Sequence, residues 1–265
     1  MSGSKALKHY FDAGLARLLA DRIAPHAPSF PAEAFVRSVA DKVESLELKG
    51  RVAVIAEALR DALPTDYPEA LDILLRTLGP ENETEQGMFT NGYHLMPVAY
   101  FVERYGLPHF PLSMHALYEI TKRHTSEYAI RPYLVYNEEE SIRMLNRWAL
   151  DANAHVRRLV SEGTRPRLPW AKRISPLRDD PARNLALLEP LLDDPSPYVR
   201  KSVANHLNDL TKDYREVMIG WLGERRDRGG AHFAWIVRHG FRSLIKAGDR
   251  EAIQLLERLQ SRGTV

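Results

Sequence analysis

Residues 155–171 read HVRRLVSEGTRPRLPWA, and the change of character along this stretch decides the fold. Val156, Leu159 and Val160 recur at helical spacing on one face, with Arg157 and Arg158 beside them. Gly163 then stops the helix, and a loop follows that carries Arg165, Arg167 and Trp170. The helical half has a second copy: ALDANAHVRRLVSE (149–162) aligns with LLDDPSPYVRKSVAN (191–205), pairing Asp151 with Asp193, Val156 with Val199 and Arg157 with Arg200. A third Val-Arg pair, Val237-Arg238, follows in FAWIVRHGFRSL. The valines are 43 and then 38 residues apart, close to the ~40–47-residue period of HEAT-type helical pairs. One such pair cannot bury its apolar stripe alone, so neighbours stack and leave a continuous concave face. The expectation is an all-α protein of stacked HEAT-like repeats whose second helices point arginines into that face.

The flanking chain agrees in period. Leu7, Phe11, Leu15, Leu18 and Leu19 mark a first amphipathic helix. Pro31 opens a second through Phe35, Val36 and Val39, and a third runs from about Lys49 to Leu63. A fourth follows Asp66 and breaks at Gly79-Pro80. Glu81 to Gly92 is polar and turn-rich and reads as the longest loop, able to close over a ligand. Helices are then expected near Leu95–Tyr105, Ser113–Thr125 and Asn137–Asp151, with Asn137 as cap and Glu138, Glu139 and Glu140 in the first turn. Asp180-Pro181 and Ser196-Pro197 are cap-then-proline entries, and Gly248-Asp249 ends one helix and caps the last. Strand patterns are weak. The 265 residues are expected to form one domain, with an N-terminal helical part to about residue 92 and catalytic repeats over about 93–265.

Composition narrows the chemistry. The chain has no cysteine, which excludes disulfides, iron–sulfur clusters and cysteine-based zinc sites and fits a reducing, cytoplasmic setting. The start, MSGSKALKHYFDAGL, lacks the apolar core of a signal peptide. No run approaches the ~20 apolar residues that span a bilayer, so no membrane partner is expected. The net charge of +2 hides an asymmetry. Residues 1–100 hold 10 basic and 14 acidic residues, whereas Ser141 to Arg178 holds nine basic residues (Arg143, Arg147, Arg157, Arg158, Arg165, Arg167, Lys172, Arg173 and Arg178) against Asp151 and Glu162 alone. That is an electrostatic footprint for a polyanion. A solvated basic face is the plainer reading, against which Trp170, Pro166 and Pro169 are interleaved with the arginines.

Four residues carry candidate chemistry, each with a plainer alternative. Glu162 lies four residues beyond Arg158, the spacing of a surface ion pair. Alternatively it is a carboxylate kept ionised in an arginine-rich cleft, able to stabilise a developing cation or hold a water. Asp209, in SVANHLNDLTKD (202–213), is a cap or surface charge, or belongs to the same face as Glu162 with Asn205 and Asn208. Trp170 either folds back on the core or offers a stacking surface for a nucleobase. Glu127, in HTSEYAIRP (124–132), reads more readily as a turn or capping residue. His115, His155, His206 and His239 form no HxxxH or HExxH pair, so no metal is expected. There is no Walker loop, GxGxxG or GxSxG, which leaves nucleotide and serine-hydrolase chemistry without a motif, and no cofactor is expected.

HVRRLVSEGTRPRLPWA followed by DDPSPYVRKSVANHLNDLTKD resembles the AlkC family of bacterial alkylpurine DNA glycosylases, within the HEAT-like-repeat glycosylases that include AlkD. ELKGRVAVIAEALRDALPTDYPEAL (47–71), MHALYEITKRHTSEYAIRP (114–132) and WIVRHGFRSLIKAGD (235–249) look like the same family, so the likeness runs from about Lys5 to Leu259. Some members add an immunoglobulin-like domain at the C-terminus, and none is expected within the residues up to Val265. The resemblance implies a C-shaped helical domain that grips double-stranded DNA and hydrolyses the N-glycosidic bond of N3-alkylated bases, 3-methyladenine and 3-methylcytosine. It implies catalytic roles for Glu162 and Asp209, an aromatic role near the lesion for Trp170, a further active-site acid at Glu127, and DNA contacts from Arg158 and Arg165. Arg157, Arg167, Arg200, Lys212 and Arg238 are the additional cations expected to meet the DNA backbone. The protein would act as a monomer on the nucleoid. The competing expectation is a non-enzymatic HEAT-repeat scaffold or a sensor of damaged DNA, neither of which releases a base.

Overall fold

Asp12 starts the first long helix by accepting the backbone N–H groups of Gly14 and Leu15 on its Oδ1. The apolar run from Leu7 to Leu19 is therefore not one helix. It is a 3-10 turn, Leu7–Tyr10, followed by α1, Ala13–Ile23, because a capping aspartate closes one hydrogen-bond ladder and opens another. The computed structural model describes residues 6–174, 179–227 and 229–260, and Lys5 and Arg178 lie outside them. Among the described residues every regular element is helical and there is no strand. No helix is long and apolar enough to cross a membrane.

The chain divides into two compact units, Met1–Pro132 and Tyr133–Val265. The first contains, after α1, helices α2 (Ala32–Val43), α3 (Leu48–Ala62), α4 (Tyr67–Arg76), α5 (Met96–Tyr105) and α6 (Phe110–Thr121). Helix α1 packs on α2, α2 on α3, α3 on α5, and α4 on α6. Their inner stripes (Leu19, Val39, Ile55, Leu74, Phe101 and Leu117 among them) are shut off from solvent. Arg51 is buried here without a carboxylate: its guanidinium donates to the carbonyls of Leu46, Phe11 and Glu44, closing the corner between α2 and α3. The stretch expected to be a plain loop holds a short helix, Met88–Asn91. Asn137 occupies an N-cap position but makes no side-chain cap bond, unlike Asp180, whose carboxylate accepts from Ala182 N, and Ser196, whose hydroxyl accepts from Val199 N.

The second unit contains α7 (Glu138–Trp148), α8 (Ala154–Gly163), α9 (Pro181–Leu188), α10 (Pro197–Leu210), α11 (Arg215–Glu224), α12 (Phe233–Gly240) and α13 (Arg250–Gln260). Helices α8, α10 and α12 stack side by side. The stack is tight at Gly240, where an added Cβ would lie 3.1 Å from Leu207 Cβ. The first two copies of the repeat superimpose in chemistry. Asp151 Oδ1 accepts Asn153 N at 2.8 Å, and Asp194 Oδ1 accepts Ser196 N at 2.9 Å. Arg157 Nη1 donates to the carbonyls of Asp151 and Ala152, and Arg200 Nη1 to those of Asp194 and Pro195. Each counterpart is 43 residues on, so the partner of Asp151 is Asp194, one residue beyond the expected Asp193. Asp193 instead accepts His232 N at 2.9 Å, tying down the entry to α12. The third copy keeps Val237 in the core and Arg238 on the surface but has no capping side chain at His232.

Candidate active site

Helix α8 is placed by its caps and by a buried polar chain beneath its C-terminal turn. Asn153 Oδ1 accepts the N–H groups of His155 and Val156 and opens the helix. At the other end Thr164 Oγ1 donates back to Val160 O at 2.6 Å. His206 Nδ1 bonds Ser161 O at 2.9 Å, while Asn184 Nδ2 bonds both His206 Nε2 and Thr164 O. An amide nitrogen only donates, so Nε2 is the acceptor and the imidazole proton sits on Nδ1, toward Ser161 O. Every link is fully or nearly fully buried, which fixes the last turn of α8 and thus Glu162.

Glu162 and Asp209, 6% and 3% exposed, are joined by one guanidinium. Arg165 Nη1 donates to Glu162 Oε1 at 2.7 Å and its Nε donates to Asp209 Oδ2 at 2.8 Å. Arg158 Nη2 stands 3.7 Å from Glu162 Oε2, with its guanidinium over the Tyr198 ring, 5.0 Å from the centroid. Lys212 Nζ is 3.6 Å from Asp209 Oδ1. Two acids thus share three cations. Burial pushes the Glu162 carboxyl upward, but the charges of Arg158 and Arg165 and the hydrogen bonds from Ser202 and Arg165 outweigh it. The group ends below its ordinary value and stays ionised. Burial also works against the Arg165 cation, and the two carboxylates more than offset it.

Ser202 is the residue that sequence reasoning missed. Its hydroxyl donates to Glu162 Oε2 at 2.5 Å. The signal was present in the repeat: 43 residues before Ser202 stands Leu159, and both positions are buried in the stack. A hydroxyl where the sister repeat has leucine needs a polar partner, and Glu162 is that partner.

The other expected residues are placed as follows. Trp170 is 77% exposed and has φ of 64°, the one non-glycine with positive φ among the described residues. Arg167 makes a two-pronged bond to Asp213 (Nε–Oδ2 3.0 Å, Nη2–Oδ1 2.6 Å). Arg157 grips buried Asp194 in the same manner at 2.6 and 3.0 Å while it holds the turn carbonyls, and Arg200 serves the equivalent turn. Arg238 is exposed. Glu127 belongs to the first unit, where it is buried and accepts from Thr125 Oγ1 at 2.9 Å within its own turn. Among the described residues no three histidine or acidic side chains gather as a metal site.

An all-helical repeat protein that buries a pair of carboxylates on a shared arginine is the class defined by the fold and the site. Residues 123–244 match the family described as DNA alkylation repair enzyme. The chain is similar to YhaZ of Bacillus subtilis (strain 168), with 39% identity over 254 residues, covering 94% of this chain and 67% of that protein. It is also similar to the Pseudomonas fluorescens alkylpurine DNA glycosylase AlkC, solved bound to DNA containing an abasic site analog. The TM-score is 0.86 at 35% identity, over 96% of this chain and 69% of that one. The chain belongs to the AlkC family of DNA alkylation repair enzymes.

Proposed function

We propose that this protein is a DNA glycosylase that hydrolyses the N-glycosidic bond of N3-alkylated bases, 3-methyladenine and 3-methylcytosine, in double-stranded DNA. The observation that carries the reading is the buried Glu162–Arg165–Asp209 bridge, with the two acids held on one guanidinium at 2.7 and 2.8 Å. An N3-alkylated base is a cation, so its bond to deoxyribose is already weakened and its departure needs no strong general acid. The remaining demand is to stabilise a positively charged sugar and to bring water to C1′, which preorganised carboxylates can meet.

The two acids are suited to different parts of that task. Both oxygens of Glu162 are engaged, Oε1 by Arg165 and Oε2 by Ser202, which makes it a fixed anion facing the developing oxocarbenium charge. Asp209 gives Oδ2 to Arg165, while Oδ1 has only the more distant Lys212 ammonium. Asp209 Oδ1 is therefore the carboxylate oxygen left to accept a proton from water. Trp170, held outward by its backbone, would face the cationic base with its π surface. Arg158 and Arg165 would serve the DNA backbone only by sharing their charge with the acids.

The deciding experiment is incubation with methylated duplex DNA, followed by chromatography of the released bases. Free 3-methyladenine or 3-methylcytosine is expected from the wild-type protein and is strongly reduced for Asp209→Asn. DNA binding without base release would leave the scaffold or sensor reading in place of the enzyme.

A further inference from the structure

Three of the six arginines that the sequence offered as DNA contacts are held by carboxylates inside the second unit. Arg157 is paired with Asp194, Arg165 with Glu162 and Asp209, and Arg167 with Asp213. A polyanion must find other cations, or break these pairs.

A cleft of about 390 Å³ is lined by Arg238, Arg242, Ile245, Lys246 and Leu256. Arg238, Arg242 and Lys246 are exposed, follow one another at four-residue intervals, and none has a carboxylate partner among the described residues. No acidic side chain lines the cleft. Arg242 makes hydrogen bonds to neutral acceptors, His239 O at 2.7 Å, Asn205 Oδ1 at 3.1 Å and Ala204 O at 3.5 Å. Partial desolvation and the nearby Arg165 charge lower its proton affinity against the opposing pull of Asp209. The same corner is latched to the acid-bearing helix, because Ser243 N donates to Asn208 Oδ1 at 3.2 Å, next to Asp209 in sequence. The cleft therefore neighbours the carboxylates.

We infer that the Arg238–Arg242–Lys246 cleft is a phosphodiester-binding site that takes a backbone phosphate of the DNA beside the lesion. The three cations supply charge, and the arginines supply forked donors suited to phosphate oxygens. Ile245 and Leu256 offer apolar surface for the hydrocarbon of the adjoining deoxyribose. The inference rests on the DNA-glycosylase reading for its ligand, but binding to undamaged duplex tests it without any chemistry.

The test measures affinity of the full chain for an undamaged duplex across a salt series, for wild type, Arg238→Ala, Lys246→Glu and the conservative Arg238→Lys. Each variant is checked by thermal melting. Arg238→Ala and Lys246→Glu are expected to weaken binding roughly three- to tenfold and to lower the slope of log K against log salt by about one. Arg238→Lys should keep the wild-type slope. A duplex carrying one uncharged methylphosphonate, moved along each strand, should weaken wild-type binding at one linkage where Arg238→Ala is indifferent. Unchanged slopes for both loss variants would overturn the inference. So would one-to-one binding of inorganic pyrophosphate that depends on Arg238 and Lys246 while duplex affinity does not, since the cleft would then serve a free anion. Wild-type protein that binds duplex through this cleft yet releases no methylated base would refute the glycosylase reading alone.

Discussion

Ser202 donates its hydroxyl to Glu162 Oε2 at 2.5 Å from a helix position that the preceding repeat fills with Leu159. The two copies share their caps, their turn aspartates and their turn-binding arginines, so this difference is a local departure from an otherwise matched scaffold. It gives the second carboxylate oxygen a buried donor on α10 while Arg165 holds the first from the loop after α8. The Glu162 side chain is thereby fixed from two directions, and it remains an anion despite its burial.

Replacing Ser202 with alanine is expected to slow base release by roughly tenfold or more, the scale of one lost hydrogen bond to a charged group. DNA affinity should change little. With one stabilising donor gone, the Glu162 carboxyl titrates at higher pH, so the acid limb of the rate profile moves upward. Ser202→Thr keeps the hydroxyl and should restore both rate and limb. A rate loss with an unmoved limb, not rescued by threonine, would mean that Ser202 only fills space. Arg158, Arg165 and Ser202 hold this carboxyl down against its burial, and the other charged or titratable groups nearby are Asp209 and His206 on α10 and Lys212 just beyond it.

Glu162→Gln should retain DNA binding and lose most excision, and its stability should carry a specific pH signature. The folded-state value of Glu162 lies below the ordinary 4.5, so the ionised group contributes stability above that pH. The contribution is lost as pH falls through the depressed value. The difference in urea stability between wild type and Glu162→Gln is therefore widest near neutrality and closes in acid. A constant difference from pH 7 to pH 3 would show that the carboxylate charge is not what the site stabilises.

Arg157→Ala should reduce stability by about 3 kcal/mol or more, because it strands the buried Asp194 carboxylate and frees two turn carbonyls. The salt dependence of DNA binding should stay near that of wild type, since this guanidinium is already paired. Chemical denaturation and a salt titration separate the outcomes. Unchanged stability with a reduced salt slope would place Arg157 on the DNA instead.

This contrast marks what the residues themselves could convey. Helix entries at Asp180 and Ser196 were readable because a short polar side chain before proline has a local meaning. Asn137, a short polar residue before three glutamates and no proline, makes no cap bond, and the Asp193-Asp194 doublet hid the repeat register by one residue. The division at Asp12 was hidden by a continuous apolar period. Residue type and resemblance singled out Glu162, Asp209 and Arg165, but not that Arg165 would join the two acids. The pairings Arg157–Asp194, Arg165–Asp209 and Arg167–Asp213 cross 37, 44 and 46 residues, and no local spacing rule reaches that far. A stripe of arginines therefore resembled a phosphate surface when several of them were internal clamps. Ser202 could have been found by asking which buried positions differ in polarity between the copies.

Trp170 offers a test that separates backbone strain from function. A tryptophan at φ 64° is held in a left-handed conformation that costs about 1–3 kcal/mol for a bulky residue. Its side chain is 77% exposed, so little packing is lost when it is removed. Trp170→Gly relieves the strain at the price of a more flexible unfolded chain, and stability should stay within about 1 kcal/mol of wild type. Trp170→Ala keeps the strain and should be the less stable of the two. Both should lose excision of methylated bases, while Trp170→Phe should retain part of it through its remaining π face. Thermal melts and base-release assays on the three variants decide the matter. A large stability loss in the glycine variant would mean that the indole packs on the protein, and full excision in it would take Trp170 out of the reaction.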